Sequence, residues 1–404
     1  MIGRRTLLAR LAAGAGWWLA GGPGLALAAA PTDRRLVLVV LRGALDGLAA
    51  VAPIGDPRYR GLRGRLALDP PGTEDGAIAL DGFFALHPAL AAIAPLWRSG
   101  ELAAVHAVAT PYRERSHFDA QDLLENGTTR PRGAADGWLN RALAELRQGD
   151  RRLGLGVGQS LPLVLRGPVP VMSWQPADRP PPGEGMLAVL ARLYADDPLF
   201  ARALAEGIEG QRLSAAALGT ADGMAGGRRQ RGPAWFRQMA SAAGRLLAAD
   251  DGPRIAVLEF GGWDTHVAQG AATGRLATEL RTLAESMDAL RAALGAAWGR
   301  TIVVAATEFG RTVAINGTGG TDHGTGTVAL LMGGALAGGK VLGRWPGLGP
   351  DDLHEGRDLR PTTDLRAVLK GVLADHLRVP RPVLDARIFP DSAGAPPLAG
   401  LVRA

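Results

Sequence analysis

"TIVVAATEFGRTVAINGTGGTDHGTGTVALLMGG", residues 301–334, joins two short apolar runs through a glycine-rich loop that carries Glu308, Arg311, Asp322 and His323. Both runs are rich in Val, Leu and Ala, show no polar alternation, and are too short for an ordinary helix. That is how a strand reads when both faces of its sheet are covered, as in a parallel sheet between helices. The Asp322-His323 pair admits two readings. It is a polar turn in which glycines supply the positive φ, or a site using carboxylate oxygen and imidazole nitrogen together.

The flanking sequence repeats the pattern. Upstream, "RIAVLEF" (residues 254–260) reads as a strand and residues 271–297 as a long amphipathic helix. Further back, "RLVLVVL" (35–41) is another buried strand. Residues 87–109 read as a helix and then a strand around 102–108. "RSHFDAQDLLENG" (115–127) opens a helix, with Ser116 as N-cap and Asp119 close to a capping box. Residues 151–182 read as irregular strand and loop, and helices are expected at 185–206 and 233–250. A glycine-rich surface loop, "GTADGMAGGRRQRGP", lies between those two helices. "TTDLRAVLKGVLADHL" (362–377) closes the pattern as a capped helix. Strands alternating with helices predict an α/β fold, a three-layer α/β/α sandwich with a mostly parallel central sheet. There is no internal repeat, and residues 31–404 are expected to form one domain.

Composition narrows the chemistry. The 404-residue chain has no cysteine, which excludes disulfides, thiolate metal sites and a cysteine nucleophile. Lys340 and Lys370 are its only lysines, no dense basic run occurs, and aromatic residues make up 5%, so a nucleic-acid groove is not expected.

The first 30 residues read as an address. A basic start precedes an apolar middle, and Ala26-Leu27-Ala28 or Ala28-Ala29-Ala30 fits a signal-peptidase site. Arg4-Arg5 before Thr6-Leu7-Leu8 resembles a twin-arginine signal, which makes the twin-arginine machinery an expected partner and the periplasm, or another exported location, the expected destination. Glycines and a proline between Gly14 and Gly24 argue against a stable spanning helix there, and no span is expected in the mature chain.

Ligand sites in such sheets form beyond the carboxyl ends of the strands. Asp46 follows the run at 35–41, Asp264 and His266 follow 254–260, and Glu308 and Arg311 follow 301–307. Asp322 and His323 stand before 327–334. Converging carboxylates repel unless a cation neutralises them, and oxygen with imidazole donors suits Zn, Mn, Mg or Ca. Asp46, Asp264, His266, Glu308, Asp322 and His323 are therefore the candidate metal ligands, expected to gather in one crevice.

"LVLVVLRGALDGLAAVAP", "RSHFDAQDLLENG", "GGWDTH" and "TEFGRT" followed by "NGTGGTDHGTG" together resemble the exported bacterial family called domain of unknown function 1501. That family is similar to the alkaline phosphatase and sulfatase superfamily. The resemblance implies an alkaline-phosphatase-like fold and a metal-dependent hydrolase of phosphate or sulfate esters. In that light Asp46 resembles the first-strand metal Asp, Glu308 stands in the Asp position of an Asp-His pair, and Phe309 stands where its His should be. His323 resembles the late metal-binding His, and Asp264 with His266 the middle pair. Ser116, at a helix N-terminus, is the candidate nucleophile with His117 beside it, and Thr110 is the fallback. Arg42, Arg115 and Arg311, with Arg113 as a further choice, are candidates for clamping a small anionic ester. The alternative is an exported binding or assembly protein that keeps the fold with a degenerate site. A serine hydrolase triad is not supported, because no G-x-S-x-G occurs.

Overall fold

The computed structural model describes residues 33–146, 153–176, 182–222 and 232–403. The expected signal segment and most of the glycine-rich loop (residues 223–231) lie outside the described residues. Among the described residues, one nine-stranded sheet organises the fold. Its strands are β1 (Arg35–Arg42), β2 (Leu102–Ala109), β3 (Gly154–Val157), β4 (Met172–Trp174), β5 (Ile255–Gly261), β6 (Thr301–Thr307), β7 (Thr327–Met332), β8 (Lys340–Leu342) and β9 (Thr363–Asp364). The spatial order is β8-β2-β7-β6-β1-β5-β3-β4, with β9 also paired to β2.

All the pairings are parallel except those of β7, which runs antiparallel to both β2 and β6. This reversal has a consequence for the site. The residues before β7 lie at the same edge as those that follow the parallel strands, so Asp322-His323 joins the loops after β5 and β6.

Side chains alternate across β1 between two cores. Val37, Val39 and Leu41 face a layer containing Phe236, Leu246, Leu280 and Met287, which come from α5 (Pro233–Ala248) and α6 (Arg275–Leu294). Leu36, Leu38 and Val40 face the opposite layer with Leu139, Leu143, Val368 and Val372. Those residues come from α2 (Trp138–Leu146) and α7 (Leu365–Asp375). Helices on both faces of a mostly parallel sheet make the three-layer α/β/α arrangement. A small three-stranded sheet of two-residue strands lies apart from it.

Proline accounts for two departures from the expected elements. The helix expected from residue 87 is instead a 3₁₀ turn, Pro88–Leu90, and a short helix, Pro95–Arg98, each beginning at a proline that cannot continue a preceding helix. The helix expected at 185–206 is two, α3 (Glu184–Leu193) and α4 (Pro198–Asp222). The Asp197 side chain accepts the Phe200 amide and starts the second one. Among the described residues, no helix is long and apolar enough to cross a membrane.

Candidate metal centre

Four side-chain atoms converge beyond the strand ends. His323 Nε2 lies 2.9 Å from His117 Nε2 and 2.9 Å from His266 Nε2. Asp264 Oδ1 lies 3.0 Å from His266 Nε2, 3.3 Å from His323 Nε2 and 3.7 Å from His117 Nε2. His117, Asp264 and His323 form the compact set, each half-buried, and His266 closes on the His323–Asp264 side.

The opposite nitrogen of each ring also has a partner. His117 Nδ1 is 2.7 Å from Glu308 Oε1, His266 Nδ1 is 3.2 Å from Asp322 Oδ1, and His323 Nδ1 is 3.0 Å from the Arg115 carbonyl. Ionised carboxylates and carbonyls only accept, so the Nδ1 of His117 and of His323 carries the proton and donates, while His266 faces a carboxylate from both nitrogens. Neutral His117 and His323 therefore point Nε2 lone pairs at each other 2.9 Å apart, which repel unless a proton or a cation lies between them. Donors about 2.0–2.1 Å from a tetrahedral zinc stand about 3.3 Å apart. Within the His117, Asp264 and His323 set the separations run from 2.9 to 3.7 Å and bracket that value. The donor set and its spacing fit a divalent ion.

The local fold positions each donor. His117 is the first residue of α1 (His117–Asn126), and Gln121 lies one turn later on the same face. Gln121 Nε2 donates 3.0 Å to Glu308 Oε1, which also accepts from Gly43 N at 2.8 Å. Gly43 follows β1 with φ +119°, and a Cβ there would stand 2.7 Å from Asp264 N, so only glycine allows this approach. The loops after β6 and before β7 zip together through an Arg311–His323 bridge. Gly310 N donates to Thr325 O at 2.9 Å and Gly324 N to Gly310 O at 2.8 Å, and a Cβ on Gly310 would collide with the Gly326 carbonyl.

Phe309, where the resemblance expects a histidine, is buried and stacks on the His117 ring at 4.8 Å. Arg115 holds a left-handed φ of +61°, uncommon outside glycine. It is anchored at 2.9 Å to Asp358 and 2.5 Å to Glu355, and its carbonyl meets His323.

The charges interlock. Glu308 lends basicity to His117 through their hydrogen bond, and this outweighs burial, so the His117 pKa is raised. Burial and then the neighbouring His117 lower that of His323. Burial opposes ionisation of Asp264, but the Arg311 guanidinium at 2.5 Å outweighs it, and the carboxyl lies below its usual range. Burial likewise works against Glu308, and the hydrogen bonds from His117 and Gln121 turn its shift downward. The Asn316 amide, 3.0 Å away, is the largest influence lowering Asp322.

The six candidate ligands thus divide. Asp264, His266 and His323 converge directly, whereas Glu308 and Asp322 contact the far sides of two rings. Asp46 is not among the converging donors. It is 1% exposed, paired with the fully buried Arg63, capped onto Ala49 N at 3.2 Å, and bonded to Gln269 Nε2 at 2.7 Å. The Arg63 guanidinium supplies countercharge to Asp46.

His117, expected beside a nucleophile, presents its Nε2 to the donor cluster instead. Ser116 is the N-cap of α1, but its side chain makes no capping bond, and Asp119 meets the Tyr112 hydroxyl at 3.3 Å rather than closing a capping box. The candidate anion clamps already hold carboxylates. Arg42 meets Glu125 and Glu259, Arg115 meets Asp358 and Glu355, and Arg311 meets Asp264. Arg113 donates to the Thr110 and Tyr112 carbonyls, and Thr110 Oγ1 reaches the Glu308 carbonyl at 3.4 Å. The sequence reading missed Gln121, Gln269 and Arg63. Gln121 was recoverable from its i+4 spacing to His117, but nothing in sequence links Arg63 to Asp46.

The profile of a family described as "Protein of unknown function (DUF1501)" matches residues 97–388, and the chain belongs to that family. No curated protein matches it. Among solved structures, Ps i-CgsB in complex with k-i-k-neocarrahexaose shares 10% identity at a TM-score of 0.37, over 75% of this chain and 66% of that one, just under two thirds of its length. The C-terminal periplasmic domain of EcEptC from Escherichia coli, in complex with Zn, shares 11% over 75% of this chain and 73% of that one, at a TM-score of 0.34. Phosphonate monoester hydrolase of Agrobacterium radiobacter shares 12% over 84% and 73%, at a TM-score of 0.31. Likenesses this distant leave the chemistry to be argued from the chain's own residues.

Proposed function

We propose that this DUF1501 member is an exported metal-dependent hydrolase of phosphate or sulfate esters, with one divalent ion held by His117, Asp264, His266 and His323. The observation that carries the reading is the convergence of three Nε2 atoms and a carboxylate oxygen, each ring held by a partner on its other nitrogen. Three imidazoles to one carboxylate favour zinc, or manganese, over the oxygen-seeking magnesium and calcium.

When bound, such an ion polarises an ester oxygen and promotes ionisation of a nucleophile. The chain's own residues do the rest. Glu308 and Asp322 keep the Nδ1 protons of His117 and His266 in place. Arg311 draws the Asp264 carboxylate into position. Ser116, adjacent to His117 and uncommitted as a cap, is the nearest hydroxyl in sequence to serve as nucleophile.

Elemental analysis of purified protein, with a phosphatase, phosphodiesterase and sulfatase substrate panel run with and without chelator, tests the reading. Stoichiometric metal and chelator-sensitive turnover support it, while a metal-free protein inert on every substrate sinks it. One observation favours a binding or assembly role instead, since Arg42, Arg115 and Arg311 are all already paired with carboxylates. Retained metal with no turnover across the panel would favour that role.

Export through the twin-arginine machinery is part of the same proposal and rests on Arg4-Arg5. Replacing both by Lys should stop periplasmic accumulation, and unchanged accumulation would rule that route out.

A further inference from the structure

We infer that Gln269 is a positioning residue that sets the spacing of the ligand loops, with the buried Asp46–Arg63 pair as its anchor. The inference rests on the reading that the His117, Asp264, His266 and His323 cluster holds an ion.

Gln269 is fully buried. Asp46 Oδ2 lies 2.7 Å from its amide nitrogen, and a carboxylate paired with arginine can only accept, so the nitrogen end of the amide faces Asp46. The carbonyl end is then free to accept two hydroxyls, Thr265 Oγ1 and Thr321 Oγ1, each at 2.8 Å. Thr321 gives its one proton to Gln269, which leaves its oxygen to accept from Arg311 Nε at 3.2 Å. Arg311 Nη1 in turn reaches Asp264 Oδ1 at 2.5 Å. Every donor in this chain has a determined direction, from the Asp46–Arg63 pair to the carboxylate in the cluster.

The two threonines give the amide its leverage. Thr265 sits between Asp264 and His266, and Thr321 precedes Asp322 and His323. One carbonyl oxygen thus ties both ligand-bearing loops, and backbone bonds from Gln269 N to Gly319 O and from Thr321 N to Thr265 O, at 3.0 and 3.2 Å, reinforce the tie. Slackening it would let Asp264 and His266 drift from His323. Partners beyond the ligands typically alter metal affinity by about 10–100-fold.

The test uses the whole mature protein, stripped of metal and titrated with cobalt(II) and zinc. Gln269→Met keeps the length of the side chain and removes both ends of the amide. We expect at least about a tenfold weaker cobalt affinity and a changed cobalt visible spectrum in the folded variant. If Gln269→Met does not fold, Thr321→Val breaks one arm only and should show the same loss, with Thr321→Ser restoring the wild-type spectrum. A purely structural role would lower the melting midpoint of the metal-free variant while leaving affinity and spectrum unchanged. That result, in a wild type that binds cobalt, overturns this inference alone. A wild type that binds neither metal overturns the metal reading and this inference with it.

Discussion

Two groups of histidines in this molecule are held in opposite tautomers. In and around the sheet, His87, His106 and His376 each set Nε2 within 2.9 Å of a backbone carbonyl, that of Ala271, Val51 and Arg35 respectively. His87 and His106 use Nδ1 to accept an amide N–H at 3.0 and 2.9 Å, so both ring nitrogens are satisfied inside the protein. At the strand edge, His117 and His323 donate from Nδ1 and turn Nε2 lone pairs toward each other, with His266 Nε2 beside them. A ring whose two nitrogens both have partners needs nothing further. Rings with facing lone pairs need a proton or a cation between them.

The two carboxylates differ in the same way. Asp46 has its countercharge in Arg63, and its side chain is 1% exposed, whereas that of Asp264 is 43% exposed and shares its Oδ1 between Arg311 and the imidazoles. Position beyond a strand is therefore not enough to mark a ligand. What separates the two is that Asp264 faces the imidazoles from a half-exposed position, although each carboxylate has an arginine partner.

The largest effect expected from breaking this contrast is on stability. Arg63→Met leaves Asp46 buried and uncompensated, which should cost about 3–5 kcal/mol in denaturant unfolding of metal-free protein. The folded fraction should still bind metal, and loss of metal there with stability intact would reverse the roles of the two carboxylates.

Next comes acid. Burial lowers the pKa of His106 to about 4, while an unfolded histidine titrates near 6.5. As pH falls the unfolded chain takes the proton first, so this contribution is full above about pH 6.5 and lost as pH falls toward 4. By pH 5 the loss should be on the order of 2 kcal/mol for His106, read as the difference in pH slope between wild type and His106→Gln. Identical slopes would contradict the account of His106.

A smaller change is expected at Asp322→Asn, which weakens the hold on His266 Nδ1 and should reduce zinc affinity about tenfold with little change in folding. Smallest of all is the effect of His323→Ala on the metal-free protein. The residue is half-buried in a loop, so the unfolding free energy should shift by under about 1 kcal/mol although metal binding is lost. A variant that melts far below the chelated wild type would make His323 structural.

Much of the fold was legible because buried strands and amphipathic helices write their period directly. The runs at residues 35–41, 254–260 and 301–307 read as parallel strands, and the structure contains them as β1, β5 and β6. Orientation was not legible. The apolar run of β7 reads the same in either direction, and its reversal follows from pairing with β2 and β6.

The site was legible as an edge but not as a set of roles. Asp264, His266 and His323 were visible beside strands, whereas His117 lies past a loop from β2 and suggested a catalytic neighbour of Ser116. Asp46 looked like a ligand because sequence shows the carboxylate without its partner. Arg63, which satisfies it, reaches it only through tertiary packing.

The most direct test of the central claim is the number of zinc ions bound per chain at saturation, in wild type, His117→Ala and Asp46→Asn. The account predicts one in the wild type, none retained tightly by His117→Ala, and one in whatever fraction of Asp46→Asn folds. Two ions in the wild type falling to one in Asp46→Asn, or full occupancy in His117→Ala, would contradict it.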